Sequence, residues 1–333
     1  MTNRTRIGIA LGLILFMFLT LLAARLVNRS AEESVKFERT FPIMGTVAKF
    51  TFYASSDTAR EAADRARAAF DRVTELCNLY DPASELSRLN AQAAESPFTC
   101  SPELWQILLE ARKAYLFSDG LFDITAKPLM DLWGFYRKRG DTAPSEAEIA
   151  ATLSKVGLDK VIFNNVDRTV KFTVPGMSLD LGGIAKGYAV DRAYEAVERL
   201  GIRSGVIDLG GNLRLLPKPP PGQNAYRVGI RNPQKNGQLL DDVLELCNVS
   251  LSTSGDYERF VTLGGVRYGH IMNPQTGKPT QAPGSVTVVA PSAMLADWLS
   301  TSVFLGGRDL AKRAESAYSG VSVIITDGIG SAQ

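Results

Sequence analysis

Hydrophobic and polar positions follow two periods along the chain, and the changes of period mark its elements. Between residues 57 and 77, Ala62, Ala66, Phe70, Val73 and Cys77 recur at three- and four-residue steps. That is one buried stripe of a long helix, which Asp57 is expected to cap. Ser101-Pro102 opens a second helix, with Ser at the N-cap and Pro in the first turn, ending before Asp119-Gly120. Ser145 opens a third that runs to Gly157, and Ser292 a fourth that Gly306-Gly307 is expected to stop. Strand-like segments fall at 46–53, 161–163, 169–174, 226–230, 243–254, 260–263, 266–270, 285–290 and 321–326. The 161–163 and 169–174 pair reads as a hairpin, and Gly264-Gly265 turns another.

Two glycine corners interrupt this pattern. In the first, the apolar run 178–181 reaches Gly182-Gly183 and passes at once into an alanine-rich helix pattern ending at Leu200. Read as a strand-to-helix corner, it allows close approach of a ligand and aims helix N–H groups at it. A packing turn is the plainer alternative. Asp180 and Lys186 bracket the corner with opposite charges. Asp208-Leu209-Gly210-Gly211-Asn212 repeats the theme, and the two corners are expected on neighbouring strands facing one cavity.

The N-terminus carries a different signal. Arg4 and Arg6 precede the uncharged run 7–24, which Arg25 and Arg29 close. The run reaches the lower limit for crossing a bilayer, and its flanks favour an N-in orientation. Residues 1–27 therefore read as an uncleaved membrane anchor, with a signal sequence as rival, 28–38 as a polar linker and 39–333 as the folded domain outside the cytoplasmic membrane. No cysteine lies near the run, which excludes a lipid anchor there. The net charge of +2 gives no reason to expect nucleic acid as partner.

Candidate chemistry is sparse and localised. With a single histidine, a His-rich zinc site is excluded and any metal should be oxygen-bound. His270 stands where a strand ends at Asn273-Pro274 and Thr276-Gly277 turns, either as a structural residue or as a base near neutral pH. Asp297 and Thr301 lie one helical turn apart with Ser300 beside them, amid apolar neighbours. They read either as a hard-oxygen set suited to Mg²⁺ or as a solvated face. Tyr80, before Asp81-Pro82, is a core cap or a stacking surface, and Asp123 between Phe122 and Ile124 needs a backbone or ligand partner. The three cysteines are too few for a disulfide framework.

Taken in order, several stretches together resemble the ApbE-type FAD:protein FMN transferases across residues 41–323. They are Met44-Gly45-Thr46, Tyr80-Asp81-Pro82 with the following 84–90, and Phe122-Asp123-Ile124-Thr125. The Asp180 to Gly187 corner, Asp208 to Asn212, Ser252 to Tyr257, His270 to Gly277 and Asp297 with Thr301 complete the set. The resemblance implies an α+β, T-fold-like domain of mixed or antiparallel sheets with packed helices, in two intimately joined halves. It implies transfer of FMN from the substrate FAD to a Thr or Ser hydroxyl of an acceptor protein, with release of AMP. Met44, Tyr80, Leu121, Phe122 and Asp123 would line the FAD pocket, with Asp180, Lys186 and Met272 nearby. Mg²⁺ would be held by the Gly183 carbonyl, Asp297 and Thr301, with Ser300 as a further candidate, and His270 would be the catalytic base. The acceptor is expected in a membrane or periplasmic electron-transfer system, with the domain periplasmic on a single-pass inner-membrane anchor. A Mg²⁺-dependent FAD pyrophosphatase and a non-catalytic flavin carrier are the rival functions.

Overall fold

The computed structural model describes residues 34–231, 239–255, 259–280 and 284–326, together with Met17 and Thr20. Among these residues no helix is long and apolar enough to cross a membrane, and the anchor expected at 7–24 lies outside them apart from those two positions. In chain order the first elements are β1 (Val35–Ile43), β2 (Thr46–Ala54), α1 (Ser56–Cys77), α2 (Glu85–Gln92), β3 (Phe98–Thr99) and α3 (Pro102–Phe117). Then follow α4 (Lys127–Leu132), α5 (Glu146–Leu153), β4 (Val161–Asn164), β5 (Thr169–Phe172), α6 (Ala185–Arg199), β6 (Gly205–Leu209) and β7 (Asn212–Leu215). The second half adds β8 (Tyr226–Arg231), β9 (Leu239–Leu246), β10 (Ser250–Gly255), β11 (Phe260–Leu263), β12 (Val266–Gly269), β13 (Met272–Asn273) and β14 (Lys278–Pro279). It closes with β15 (Ser285–Ala290), α7 (Ala293–Ala317) and β16 (Ser322–Ile325).

Seven strands form the main sheet in the order β1-β2-β6-β7-β10-β15-β16, each neighbour antiparallel to the next. Alternation along β2 explains its two faces. Ala48, Phe50 and Phe52 are buried, whereas Val47 and Lys49, which alternate with them, face outward. The buried face meets α1, whose Ala62, Ala66, Phe70 and Val73 form the expected stripe, and then α6 and α7. Around Leu129, Trp133, Ile149 and Met272 a satellite core assembles, and the β8–β9 hairpin covers a third apolar cluster around Leu215 and Val289. The α+β class with antiparallel sheets is thus observed.

Several local expectations change. The linker is shorter than 28–38, because β1 already begins at Val35. Lys36 and Glu38 stand on its outward face, where Glu38 pairs with Lys49 of β2 at 2.9 Å. Ser55, not Asp57, caps α1 by accepting the Thr58 N–H, and Asp57 lies in the first turn. Helix α2 was not expected from the hydrophobic pattern. The strand expected over 243–254 is two strands, parted by a turn in which Asn248 takes a φ of 55°.

The glycine corners also differ from expectation. Residues 178–181 belong to no strand, because the Asn90 side chain takes both main-chain groups of Leu179. Its Nδ2 donates to Leu179 O at 2.9 Å, and its Oδ1 accepts from Leu179 N at 2.7 Å. Gly210-Gly211 is a β6–β7 hairpin turn with both φ values positive, not a strand-to-helix corner. At Gly306-Gly307 the expected stop is observed. Gly307 (φ 65°) leaves helical geometry and ends the helix opened by Ser292, and the later part of α7 is a second helix that carries Leu310, Ala311 and Ala314 into the core.

Candidate active site

A cleft of about 1350 Å³ opens where the three apolar clusters meet, and both glycine corners line it. Pockets for small ligands are typically ~300–1000 Å³, so this one has room for a long, two-part ligand. Twelve of the thirteen candidate residues line it, and Ser300 does not.

At one end, α6 and α7 bring the glycine corner to Asp297 and Thr301. A Cβ built on Gly183 would lie 3.0 Å from Phe122 Cε2 and 3.6 Å from Thr301 Oγ1, so any larger residue would press on the Phe122 ring. Asp297 is buried, and its Oδ2 accepts the Gly187 N–H at 2.9 Å. With the Asn212 amide oriented so that its NH₂ donates, it reaches Asp297 Oδ1 at 3.1 Å and Ser252 Oγ at 2.9 Å. Its oxygen then accepts from Lys186 Nζ at 3.2 Å. Burial raises the proton affinity of Asp297, while Lys186 and the surrounding donors pull it back. Ser300 is fully buried behind Thr301. Its hydroxyl bonds Ser254 Oγ at 2.8 Å and the Asp297 carbonyl at 2.9 Å, which leaves it no face toward the cleft. The helix start is partly used internally as well, since Ala185 N–H donates to Leu181 O.

The middle of the cleft is aromatic and acidic. Tyr80 is 68% exposed at the lip, which removes the core-cap alternative and leaves a free ring face. It meets Tyr136 edge-on at 5.8 Å between centroids. Tyr136 OH donates to Asp180 Oδ2 at 2.5 Å, and Asp180 Oδ1 accepts from Gly182 N at 2.8 Å. Burial and the neighbouring Asp180 carboxylate hold the Tyr136 phenol protonated far above its usual range. Asp123 finds its partners in the protein itself. Oδ1 accepts from Thr125 N and Oγ1, and Oδ2 from Leu158 N, so the residue shapes the loop that presents Leu121 and Phe122. Met44 and Gly45, both at positive φ, turn the β1–β2 hairpin into the cleft. Cys77 is half-buried on the cleft wall, where burial pushes its thiol up to about 12.

His270 stands just after β12, half-buried, with its Nδ1 3.2 Å from the Arg259 carbonyl. A carbonyl can only accept, so Nδ1 carries the proton and Nε2 keeps its lone pair. The near-neutral titration expected of this residue is displaced. Burial first and Lys186 second lower it to about 4, so the imidazole is uncharged at neutral pH. Tyr136, Arg259 and Asn212 were not among the sequence candidates. The first two belong to no motif, and Asn212 had only its place after Gly210-Gly211 to mark it.

The antiparallel α+β scaffold thus holds one cleft that joins a buried oxygen cluster, a helix start and one uncharged imidazole. The chain matches the ApbE family over residues 44–325 and belongs to it. It is 32% identical over 260 residues to the FAD:protein FMN transferase of Haemophilus influenzae, covering 76% of this chain and 75% of that protein. To the FAD:protein FMN transferase of Vibrio cholerae it is 30% identical over 275 residues, 80% of each. Among solved structures it resembles the flavin transferase ApbE from Vibrio cholerae with a TM-score of 0.77 at 28% identity, over 89% of this chain and 96% of that one. For the ApbE protein from Thermotoga maritima the values are 0.79 and 29%, over 87% and 94%. The family resemblance read from the motifs is borne out, and the chain is an enzyme of the transferase class.

Proposed function

We propose that this transferase moves FMN from FAD to a threonine or serine hydroxyl of an acceptor protein, releasing AMP. The observation that carries the reading is the single cleft joining Asp297 and Thr301 to His270. The donor chemistry fits Mg²⁺: one buried carboxylate, one hydroxyl and the Gly183 main chain are hard oxygens. Oδ2 of Asp297 also keeps a lone pair beyond the Gly187 N–H that it accepts. Among the described residues no three His, Cys, Asp or Glu side chains cluster, so phosphate oxygens would complete the shell. The ion would be held by Gly183, Asp297 and Thr301 and, when bound, would screen charge on the pyrophosphate oxygens.

The chain's own groups do the rest. Lys186 supplies positive charge beside Asn212. Tyr80 and Phe122 offer ring faces, and Met44, Leu121 and Met272 supply apolar wall. Nε2 of His270 takes the proton of the acceptor hydroxyl as its oxygen bonds to the FMN phosphorus. The P–O bond to the AMP phosphate then breaks. Ser300 acts through Ser254 to hold Thr301 in place. Residues 7–24 would tether the domain as a single-pass inner-membrane anchor, with 39–333 in the periplasm beside an acceptor of an electron-transfer system.

The test is incubation of the protein with FAD, Mg²⁺ and candidate acceptors, read by mass spectrometry. One FMN added per acceptor at a Thr or Ser, with AMP released and both lost in EDTA, is expected. Free FMN without labelled acceptor would replace the reading with a pyrophosphatase, and intact FAD throughout with a carrier.

A further inference from the structure

Arg259 and His270 face each other at the open end of the β11–β12 hairpin, one position beyond the Phe260–Gly269 pair. The Arg259 carbonyl accepts twice from His270, from its main-chain N at 3.0 Å and from its Nδ1 at 3.2 Å. The Arg259 side chain reaches the opposite way. Its Nη2 donates to Phe135 O at 2.8 Å and to Tyr80 OH at 3.3 Å, and the guanidinium lies over the Tyr136 ring, 5.3 Å from its centroid. Tyr136 is in turn tied to Asp180 by its hydroxyl. One residue thus touches the aromatic lip with its side chain and sets the imidazole with its main chain.

From this geometry we infer that Arg259 is a positioning residue. Its side chain fastens the hairpin's open end to the Tyr80–Tyr136 pair so that its carbonyl holds His270 with Nε2 free toward the cleft. The inference rests on the reading of His270 as the base. Among the described residues the β11–β12 register ends at Phe260–Gly269, and beyond it the main chains share the one bond from His270 N–H to Arg259 O. A planar guanidinium suits this role because it can donate to two oxygens while stacking on a ring, whereas an ammonium stacks less well and lacks the fork. The charges facing the imidazole are Lys186 and Arg259 itself.

Because the chain has a single histidine, ¹⁵N NMR of the tag-free protein reads this ring without ambiguity. The wild-type protein is expected to show Nδ1 protonated and Nε2 unprotonated. Arg259→Met is expected to populate the other tautomer and to lower kcat about 10-fold or more, the cost of a misplaced catalytic group. Arg259→Lys should recover part of both, and it serves as the readout if the methionine variant does not fold. A native-like tautomer and kcat in Arg259→Met, or no recovery with lysine, overturns the inference. Failure of the base assignment is distinguishable from this. His270→Ala with undiminished transfer would remove that reading, while the tautomer measurement still reports on the Arg259 contact.

Discussion

The main-chain nitrogen of Gly187 lies 2.9 Å from Oδ2 of Asp297, so one helix grips the acid of another with its own backbone. The contact demands that α6 and α7 cross almost in touch. A Cβ on Gly187 would fall 2.4 Å from Ala293 O and 2.6 Å from Met294 Cα, both main-chain atoms that cannot rotate away. Gly187→Ala is therefore expected to destabilise the fold by about 1–3 kcal/mol, the usual cost of overpacking. Urea unfolding checks this, and a change below about 0.5 kcal/mol, the range of a neutral surface substitution, would refute the close crossing.

Asp297→Asn separates charge from shape. The carboxylate accepts from Gly187 N–H through one oxygen and from Ser252 and Asn212 through the other. An amide therefore keeps the shape but sets its NH₂ against a donor, and the fold should lose about 1–3 kcal/mol. Turnover at saturating FAD should fall about 10²-fold or more, as for loss of a preorganised electrostatic group. If the proposed Mg²⁺ site holds, Mg²⁺ is expected to raise the Tm of the wild-type protein and to leave that of the variant unchanged. Retention of both would take Asp297 out of the metal site.

Asn90→Ala strips both main-chain groups of Leu179 of their partners in a part-buried setting. At about 1–3 kcal/mol for each buried group left unpaired, a loss of several kcal/mol is expected in thermal unfolding. Asn90→Asp keeps the acceptor but sets an oxygen against Leu179 O, so it should rescue only part of the loss. Full stability in the alanine variant would show that 178–181 holds its shape without Asn90.

The pH response of transfer follows from His270. Its folded value of about 4 lies below the ordinary 6.5, so the neutral base is present throughout the neutral range. At low FAD, where the rate reports the unliganded enzyme, transfer should stay level as pH falls from 8 to about 5 and drop only on passing about 4. The same shift makes a stability contribution that is fully present above 6.5 and lost as pH falls through 4, because the unfolded chain takes the proton first. His270→Ala should remove that contribution and slow transfer by about 10²-fold. An inflection near 6.5 in the unliganded protein's histidine titration would contradict the burial argument.

What could be read in advance followed from local chemistry. The α1 stripe, the Ser101-Pro102 start and the glycine-rich hairpin turns are encoded within a few residues of themselves, and all form. Most of the twelve candidate residues that share the cleft sit at a turn or helix start, where site residues gather, whereas Met272 lies in β13 and Asp297 and Thr301 within α7. What could not be read depends on partners far along the chain. Tyr136 meets Asp180 from 44 residues away and Asn90 holds Leu179 from 89, so neither contact leaves a periodic trace. Asp123 was ambiguous for the same reason, since Leu158 settles its bonding from 35 residues downstream. The apolar run 178–181 looked like a strand because composition does not reveal that a side chain has replaced a neighbouring strand.

Lys186 depresses the proton affinity of both His270 and Asp297. Burial is the larger cause of the imidazole's low affinity and this cation adds to it, whereas at Asp297, where burial raises the affinity, the same cation opposes that rise. Phosphate oxygens docking on Lys186 would cancel part of that field and let the imidazole regain basicity as the reacting bond comes into reach. The enzyme would then arm its base through the arrival of its own cargo, with no moving part.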